Sequence, residues 1–382
     1  MKPHFSFQLY SAVSELPLSW DYIAHGNIFL STAYLSVLES SAPRNMKCRF
    51  IGLFAAEELV GVAMSQQLSL SEVDSFGGRD RRFKTHIRKI TFSKVASNVL
   101  LIGNNMLTGQ NAFVLSDKIS FDSAAKLLEN AVEQIKRESN RIHLTIFKDF
   151  YHKEITQFDP HVFSNYTEFS TQPNMVFHIK DHWHSVDDYV SDLSKKYRDQ
   201  YKRARKKLTG ITKRKLVLEE MTLLQSTIHQ LYLNVAKQAP FNTFYLTGNH
   251  FATMKQRLGS DFLFYGYFLD EKLIGFSTLI KNADDFDTYF LGYDETHQRE
   301  KMLYLNMLYD MISYAMKKKY RKVNFGRTAL EIKSSIGATD IEMHGLIKHS
   351  NPIFNKLMPY LFDYFEPKTV WQKRNPFKER QS

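Results

Sequence analysis

Internal repetition constrains this chain more than any other feature. Residues 50–66 (FIGLFAAEELVGVAMSQ) and 264–280 (FYGYFLDEKLIGFSTLI) follow one pattern. Each begins with a β-rich run and passes through an acidic turn. Each then continues as Leu-Val-Gly or Leu-Ile-Gly into a second β-rich run. Gly52 and Gly61 keep the spacing of Gly266 and Gly275. This is a β-hairpin signature appearing twice. The elements that follow also repeat. In the first half, a strand at 99–103 precedes a helix at 121–138 and a strand at 142–147. The helix carries Ala124, Leu127, Leu128, Ala131 and Ile135 on one stripe. In the second half, a strand at 288–292 precedes a helix at 303–319, striped by Leu305, Leu308, Ile312 and Ala315. A strand at 322–325 follows.

Four matched elements in the same order imply a duplicated α/β (α+β) fold, each copy a mixed twisted sheet flanked by helices. The boundary falls in a linker near residues 166–180, with Pro160 and Pro173 bracketing it. This gives domains of 1–172 and 173–382. An amphipathic helix at 186–208 opens the second domain. The first copy carries a polar, basic insertion at 71–94. A chain of 382 residues is long enough for two such cores.

Composition narrows the class. Hydrophobic residues make up 43% and charged residues 24%, as expected of a globular protein and not of a disordered one. Cys48 is the only cysteine, so a disulfide-stapled secreted design is excluded and a reducing cytoplasm is expected. Residues 1–18 lack the basic stretch and apolar core of a signal peptide. No run approaches the roughly 18 apolar residues that span a bilayer. His182 and His184 lack further ligands of metal-site spacing, so no metal is expected.

Net charge is +11, and the excess is uneven. Residues 195–215 hold eleven Lys and Arg against one acid, Asp199. Such density suits a polyanionic partner: a tRNA, a nucleotide-linked substrate, or an anionic membrane face. Within it, Arg198, Lys202 and Arg205 fall on one helical face, with Tyr197 beside them.

Residues 325–338 (FGRTALEIKSSIGA) form a polar burst at the end of a strand, a common place for a site. Arg327 offers a planar donor fork for carboxylate or phosphate. Lys333 is a point charge suited to phosphate or an oxyanion. Glu331 is a candidate base. Thr328 and Ser334 supply hydroxyls. No equivalent burst is read after Phe147 in the first copy.

Together these pieces resemble the GNAT N-acyltransferase superfamily. The residues that carry the resemblance are 194–207 (SKKYRDQYKRARKK), 265–280, 287–294 (DTYFLGYD) and 323–338. The tandem arrangement resembles Fem-type peptidyltransferases and their acetyltransferase-like relatives. The resemblance implies a splayed strand within 287–294 and an active cleft in the second domain, the first being a degenerate copy. It implies transfer of an acyl group, from acyl-coenzyme A or acetyl-coenzyme A, to an amine. On the splayed strand, Asp287 and Tyr289 share one face as a candidate base and hydrogen-bond donor. GNAT enzymes cradle the donor's pyrophosphate on a Gly-rich loop. The corresponding stretch here, residues 295–303 (ETHQREKML), has no glycine, which leaves Gln298, Arg299 and Lys301 as its phosphate contacts. That departure keeps open a Fem-type transfer from aminoacyl-tRNA in cell-wall precursor synthesis, and a non-catalytic polyanion-binding module.

Overall fold

The computed structural model describes residues 4–70, 97–139, 141–239, 242–365 and 371–378. The insertion at 71–94 lies outside them. The chain forms two compact units, one of residues 1–171, 239–250 and 342–368, the other of residues 172–238, 251–341 and 369–382.

The first unit contains β1 (Phe5–Tyr10), α1 (Trp20–Ile23), α2 (Thr32–Ser41), β2 (Met46–Ala55), β3 (Glu58–Ser69), β4 (Asn98–Ile102), β5 (Phe113–Leu115), α3 (Phe121–Glu138), β6 (Leu144–Phe150) and α4 (His152–Ile155). Strands β1, β2, β3 and β4 pair antiparallel in that order, and β4 then pairs parallel with β6. Helix α3 starts at Ser120, whose hydroxyl accepts from Ser123 N. Its predicted stripe, from Ala124 to Ile135, is buried against the sheet.

The second unit contains the end of β7 (Thr167–His178), then α5 (Val186–Asp192), α6 (Lys195–Lys207), β8 (Ile211–Lys215), α7 (Leu218–Leu223), α8 (Gln225–Ala236) and most of α9 (His250–Leu258). It continues with β9 (Phe262–Leu269), β10 (Lys272–Asn282), β11 (Asp285–Tyr293), α10 (Glu295–Lys301), α11 (Leu303–Lys317), β12 (Lys322–Gly326) and α12 (Leu330–Ser335). Its pairing order reproduces the first unit. Strands β8, β9, β10 and β11 are antiparallel, and β11 pairs parallel with β12.

The duplication extends to irregularities. In the first hairpin Leu53 opposes Gly61 and Phe54 opposes Leu59, so β3 carries one extra residue there. In the second, Tyr267 opposes Gly275 and Phe268 opposes Leu273, the same bulge at the same place. The tight turns use left-handed residues at matching positions, Ala56 (φ 53°) and Asp270 (φ 46°). A Cβ on Gly52 or Gly266 would lie 2.9 or 2.7 Å from the ring of Phe54 or Phe268, so both glycines clear space for the same aromatic.

Two expectations are corrected. Residues 166–180 are not a linker: β7 occupies most of them, and its end pairs antiparallel with β12 in the second unit. Conversely, β13 (Thr339–His349), which ends the second repeat, pairs from His344 onward with β6 in the first unit, followed there by α13 (Pro352–Phe365). The closing strand of each sheet thus comes from the other repeat. The helix expected at 186–208 is two helices, broken where Leu193 turns extended (ψ 144°) and Ser194 starts α6.

Candidate functional site

The second sheet opens at one place. Strands β11 and β12 pair only at Asp285–Lys322, Phe286–Val323 and Asp287–Asn324. Beyond Asp287, β11 runs on to Tyr293 with β10, while β12 ends at Gly326. Ser277 opposes Leu291 and Leu279 opposes Thr288, so β11 carries an extra residue just past that point. A bulge bends its strand, which is how the two parallel strands come to diverge. Gly292 lets this bent segment approach α8: a Cβ there would lie 2.5 Å from the Leu231 carbonyl carbon.

Asp287 sits at the apex of the divergence and is 8% exposed. Its Oδ1 accepts from Asn324 Nδ2 at 2.9 Å, and its Oδ2 accepts from Asn282 Nδ2 at 3.2 Å. Burial pushes the carboxyl up to about 6, against the pull of the two amides. Tyr289 lies two residues on, at the bulge, where the regular alternation expected from the sequence is interrupted. Its ring meets Phe290 at 4.6 Å, and Phe290 meets Tyr232 of α8 at 5.7 Å. Asn282 and Asn324 were missed by the sequence reading. The signal available was register, since Asn324 stands beside Asp287 once β11 and β12 are paired.

The polar burst after β12 is a strained turn. Gly326, Thr328 and Ala329 have φ of 67°, 70° and 47°. A β-branched residue at positive φ is a true outlier, and such strain clusters at functional sites. Lys333 holds the turn: its Nζ donates to the carbonyls of Phe325 (2.7 Å), Gly326 (3.2 Å) and Arg327 (2.6 Å). It is 4% exposed, and burial draws it down to about 7. Three carbonyls match the three donors of an ammonium, which favours the charged form. Burial also lowers Arg327, to about 10, which leaves it a cation at neutral pH.

The other residues of the burst point elsewhere. Glu331 is exposed, accepts from Gln372 N at 3.0 Å and pairs with Arg374 at 3.5 Å. Ser334 Oγ accepts from Arg374 N at 3.1 Å. Both thereby anchor residues 371–378. Thr328 is exposed.

Residues 295–303 are not a loop. Asp294 caps α10 by accepting from Thr296 N at 2.9 Å, and α11 starts directly after Met302, which has φ 50°. Gln298 is half-buried and Arg299 exposed on α10, while Lys301 pairs with Glu300 at 3.2 Å. On α6 the expected shared face divides. Tyr197 is buried, and Arg198 reaches the Ser191 carbonyl at 3.5 Å. Arg205 turns inward to Asp310 at 2.7 Å and Asn306 at 3.3 Å, and Asp310 also accepts from Tyr267 at 2.8 Å. Lys195, Lys196, Lys202, Arg203, Lys206 and Lys207 remain exposed.

In the first unit two polar residues stand directly after Phe147. Lys148 and Asp149 follow it, both buried and paired, with Lys148 Nζ donating to Asn104 O and Leu107 O at 3.1 Å and Asp149 at φ 67°. Among the described residues no His, Cys, Asp and Glu cluster could hold a metal ion, and no helix is long and apolar enough to cross a membrane.

Residues 195–334 match the acetyltransferase (GNAT) domain family. No curated protein matches the chain. Among solved structures, the crystal structure of FemX is similar at 11% identity and TM-score 0.55, over 95% of this chain and 100% of that one. A tandem GNAT protein from the clavulanic acid biosynthesis pathway, solved without AcCoA, is similar at 10% identity and TM-score 0.51, over 91% and 99%. A conserved protein of unknown function from Bacteroides thetaiotaomicron VPI-5482 is similar at 10% identity and TM-score 0.51, over 90% and 99%. These likenesses show the fold: two GNAT-like units in tandem, as in FemX and the tandem GNAT protein.

Proposed function

Because residues 195–334 carry a GNAT acetyltransferase domain, we propose that the second unit transfers an acyl group from acyl-coenzyme A, acetyl-coenzyme A in the simplest case, to an amine. The observation that carries this reading is Asp287. It is a buried carboxylate with its affinity for protons raised to about 6, placed where two parallel strands part. A base of that strength is largely ionised at neutral pH and still takes a proton readily.

In this reading Asp287 accepts the amine's proton, directly or through one water. Asn282 and Asn324 hold its two oxygens in place. Tyr289 donates a hydrogen bond to the departing group. Arg327, carried on the turn that Lys333 ties, offsets negative charge developing on the acyl oxygen. The donor supplies the activated carbonyl. The residues present suit it: an extended, amide-bearing arm can add to β11 where its ladder to β12 stops, and Arg299 and Lys301 supply cations for phosphate. Gln298, beside them on α10, adds an amide donor.

A second reading is favoured by two observations. The β11–α11 connection is a helix without glycine, and six cations on α6 are exposed. These suit an aminoacyl-tRNA donor, or a polyanion bound without chemistry. A thermal-shift titration separates them. Coenzyme A raising the unfolding temperature of the second unit supports the first reading, because a ligand bound only by the folded state stabilises it. No shift with coenzyme A or acetyl-coenzyme A, together with tRNA binding that collapses with salt, would replace it by the second.

A further inference from the structure

Residues 371–378 belong to the second unit, whereas α13 before them belongs to the first. They bridge two parts of the second unit. On one side is the junction of α5 and α6. There Phe377 pairs antiparallel with Leu193, Ser194 N donates to Pro376 O at 2.8 Å, and Lys378 N donates to Asp192 O at 3.0 Å. On the other side is α12. Gln372 N donates to Glu331 Oε1 at 3.0 Å and Arg374 N donates to Ser334 Oγ at 3.1 Å. The Arg374 guanidinium stands 3.5 Å from Glu331, and Lys373 pairs with Asp340 just past the helix.

Phe377 is the anchor of this segment. Its ring lies 5.4 Å from Trp183 and 6.3 Å from Tyr189, with Lys180 Nζ 4.0 Å from its centre. A cation over an aromatic face is attracted by it. Asp192 fixes this box, accepting from Lys180 at 3.2 Å and from Trp183 Nε1 at 3.0 Å. Gly337, just after α12, closes it: a Cβ there would lie 2.5 Å from the Phe377 ring. The end of α12 is therefore shaped to receive that side chain.

Helix α12 needs such support. It has six residues, and its N-cap Ala329 makes no side-chain cap bond. A helix that short does not hold its shape alone. Yet its Lys333 fixes the carbonyls of Phe325, Gly326 and Arg327, and with them the strained turn that carries Arg327. Glu331 and Ser334 stand on either side of Lys333 in the chain, and both are bonded to residues 371–378. Support thus passes from the segment to α12, from α12 to Lys333, and from Lys333 to the turn. Tyr189 donates to Ile336 O at 2.8 Å and Gln200 to Ser335 Oγ at 3.2 Å. These two bonds hold the far end of α12 without the segment. They leave its first turn, where Glu331 sits, unfastened.

We propose that residues 371–378 are a positioning segment of the acyl-transfer site. Docked through Phe377, they hold α12 so that the turn presents Arg327 to the acyl oxygen. This role rests on the acyl-transfer reading above. The cations assigned there to the donor's phosphates lie on α10, apart from this chain of support.

Two measurements on the full chain carrying Phe377→Ala test this. Amide NMR reads the support without turnover. The resonances of Gly326, Arg327 and Thr328 are expected to shift, and those of the β9–β10 hairpin to stay in place. Steady-state transfer from acetyl-coenzyme A reads the consequence. The kcat is expected to fall by about tenfold or more, the scale of a slightly misplaced group, with KM for the donor within about twofold. Phe377→Leu, which keeps an apolar side chain in the box, is expected to recover most of both effects. Glu331→Ala, at an exposed position where folding is not at stake, releases the same support and is expected to act in the same direction. Unmoved resonances at 326–328 in both Phe377→Ala and Glu331→Ala would overturn the proposal. So would an unchanged kcat where those resonances do move, or a loss confined to KM. A wild-type chain that moves no acyl group fails the acyl-transfer reading instead, and the resonances then still decide whether the segment holds the turn.

Discussion

Replacing Asp287 by Asn should make the protein more stable at neutral pH while impairing it as a catalyst. The carboxyl's ordinary value is 3.8, and burial raises it to about 6 in the folded protein. Below pH 3.8 both folded and unfolded chains carry the proton, and no penalty exists. Between 3.8 and 6 the folded chain keeps a proton that the unfolded chain releases, so stability falls as pH rises. Above 6 the penalty is complete. At about 1.4 kcal/mol per pH unit it amounts to about 3 kcal/mol. The Asp287→Asn variant would carry no such penalty. Its new amide keeps one acceptor oxygen and turns an NH2 group toward the donor of either Asn282 or Asn324, so one of those amides must flip, but that cost does not depend on pH. Urea unfolding of both proteins at half-unit steps from pH 4 to 8 is the assay. The stability difference, variant minus wild type, should grow by about 2.5 kcal/mol between pH 4 and 7 and then level off. A difference that stays flat, or that shrinks with rising pH, would refute the argument that Asp287 is a desolvated carboxylate.

The remaining predictions concern the supports of that site. Lys333→Met should cost roughly 3 kcal/mol in urea unfolding, because three carbonyls lose a buried donor, and Lys333→Arg should not restore it, since a planar fork cannot converge on all three. Gly292→Ala should cost roughly 1–3 kcal/mol and lower the unfolding temperature, because its Cβ would meet the backbone of Leu231 and Tyr232 at 2.5 and 2.6 Å. Changing Lys202, Arg203 and Lys206 together to Glu should weaken tRNA or heparin binding at low salt and flatten its salt dependence, while leaving any thermal shift by coenzyme A intact. Activity should rise with pH through about 6 and reach a plateau, as Asp287 loses its proton.

The sequence revealed what is encoded locally. The two hairpins were legible because glycine spacing and turn acidity mark both of their strands, while the shared bulge emerged only from the register. Helix α3 was legible because its stripe is regular and Ser120 caps it. The exchange of β7 and β13 was not, since a closing strand has the same local pattern whichever sheet receives it. The break between α5 and α6 was hidden by Leu193, which is fully buried and continues the apolar stripe through the interruption. Asp287 was visible as a candidate, but Asn282 and Asn324 come from other strands and converge only through register. Lys333 was singled out as a charge for a ligand. Its partners are backbone carbonyls, which leave no trace in a sequence, so its part in tying the turn emerged only from geometry.

The central claim is that the second unit moves an acyl group to an amine with Asp287 as the base. Release of free coenzyme A thiol from acetyl-coenzyme A, followed across a panel of amines from pH 5 to 9, tests it most directly. The account predicts amine-dependent thiol release that rises through about pH 6 in the wild type and falls by about a hundredfold or more in Asp287→Asn, the scale of a lost general base. Amine-dependent release that is equal in Asp287→Asn, with the same pH profile, would contradict it.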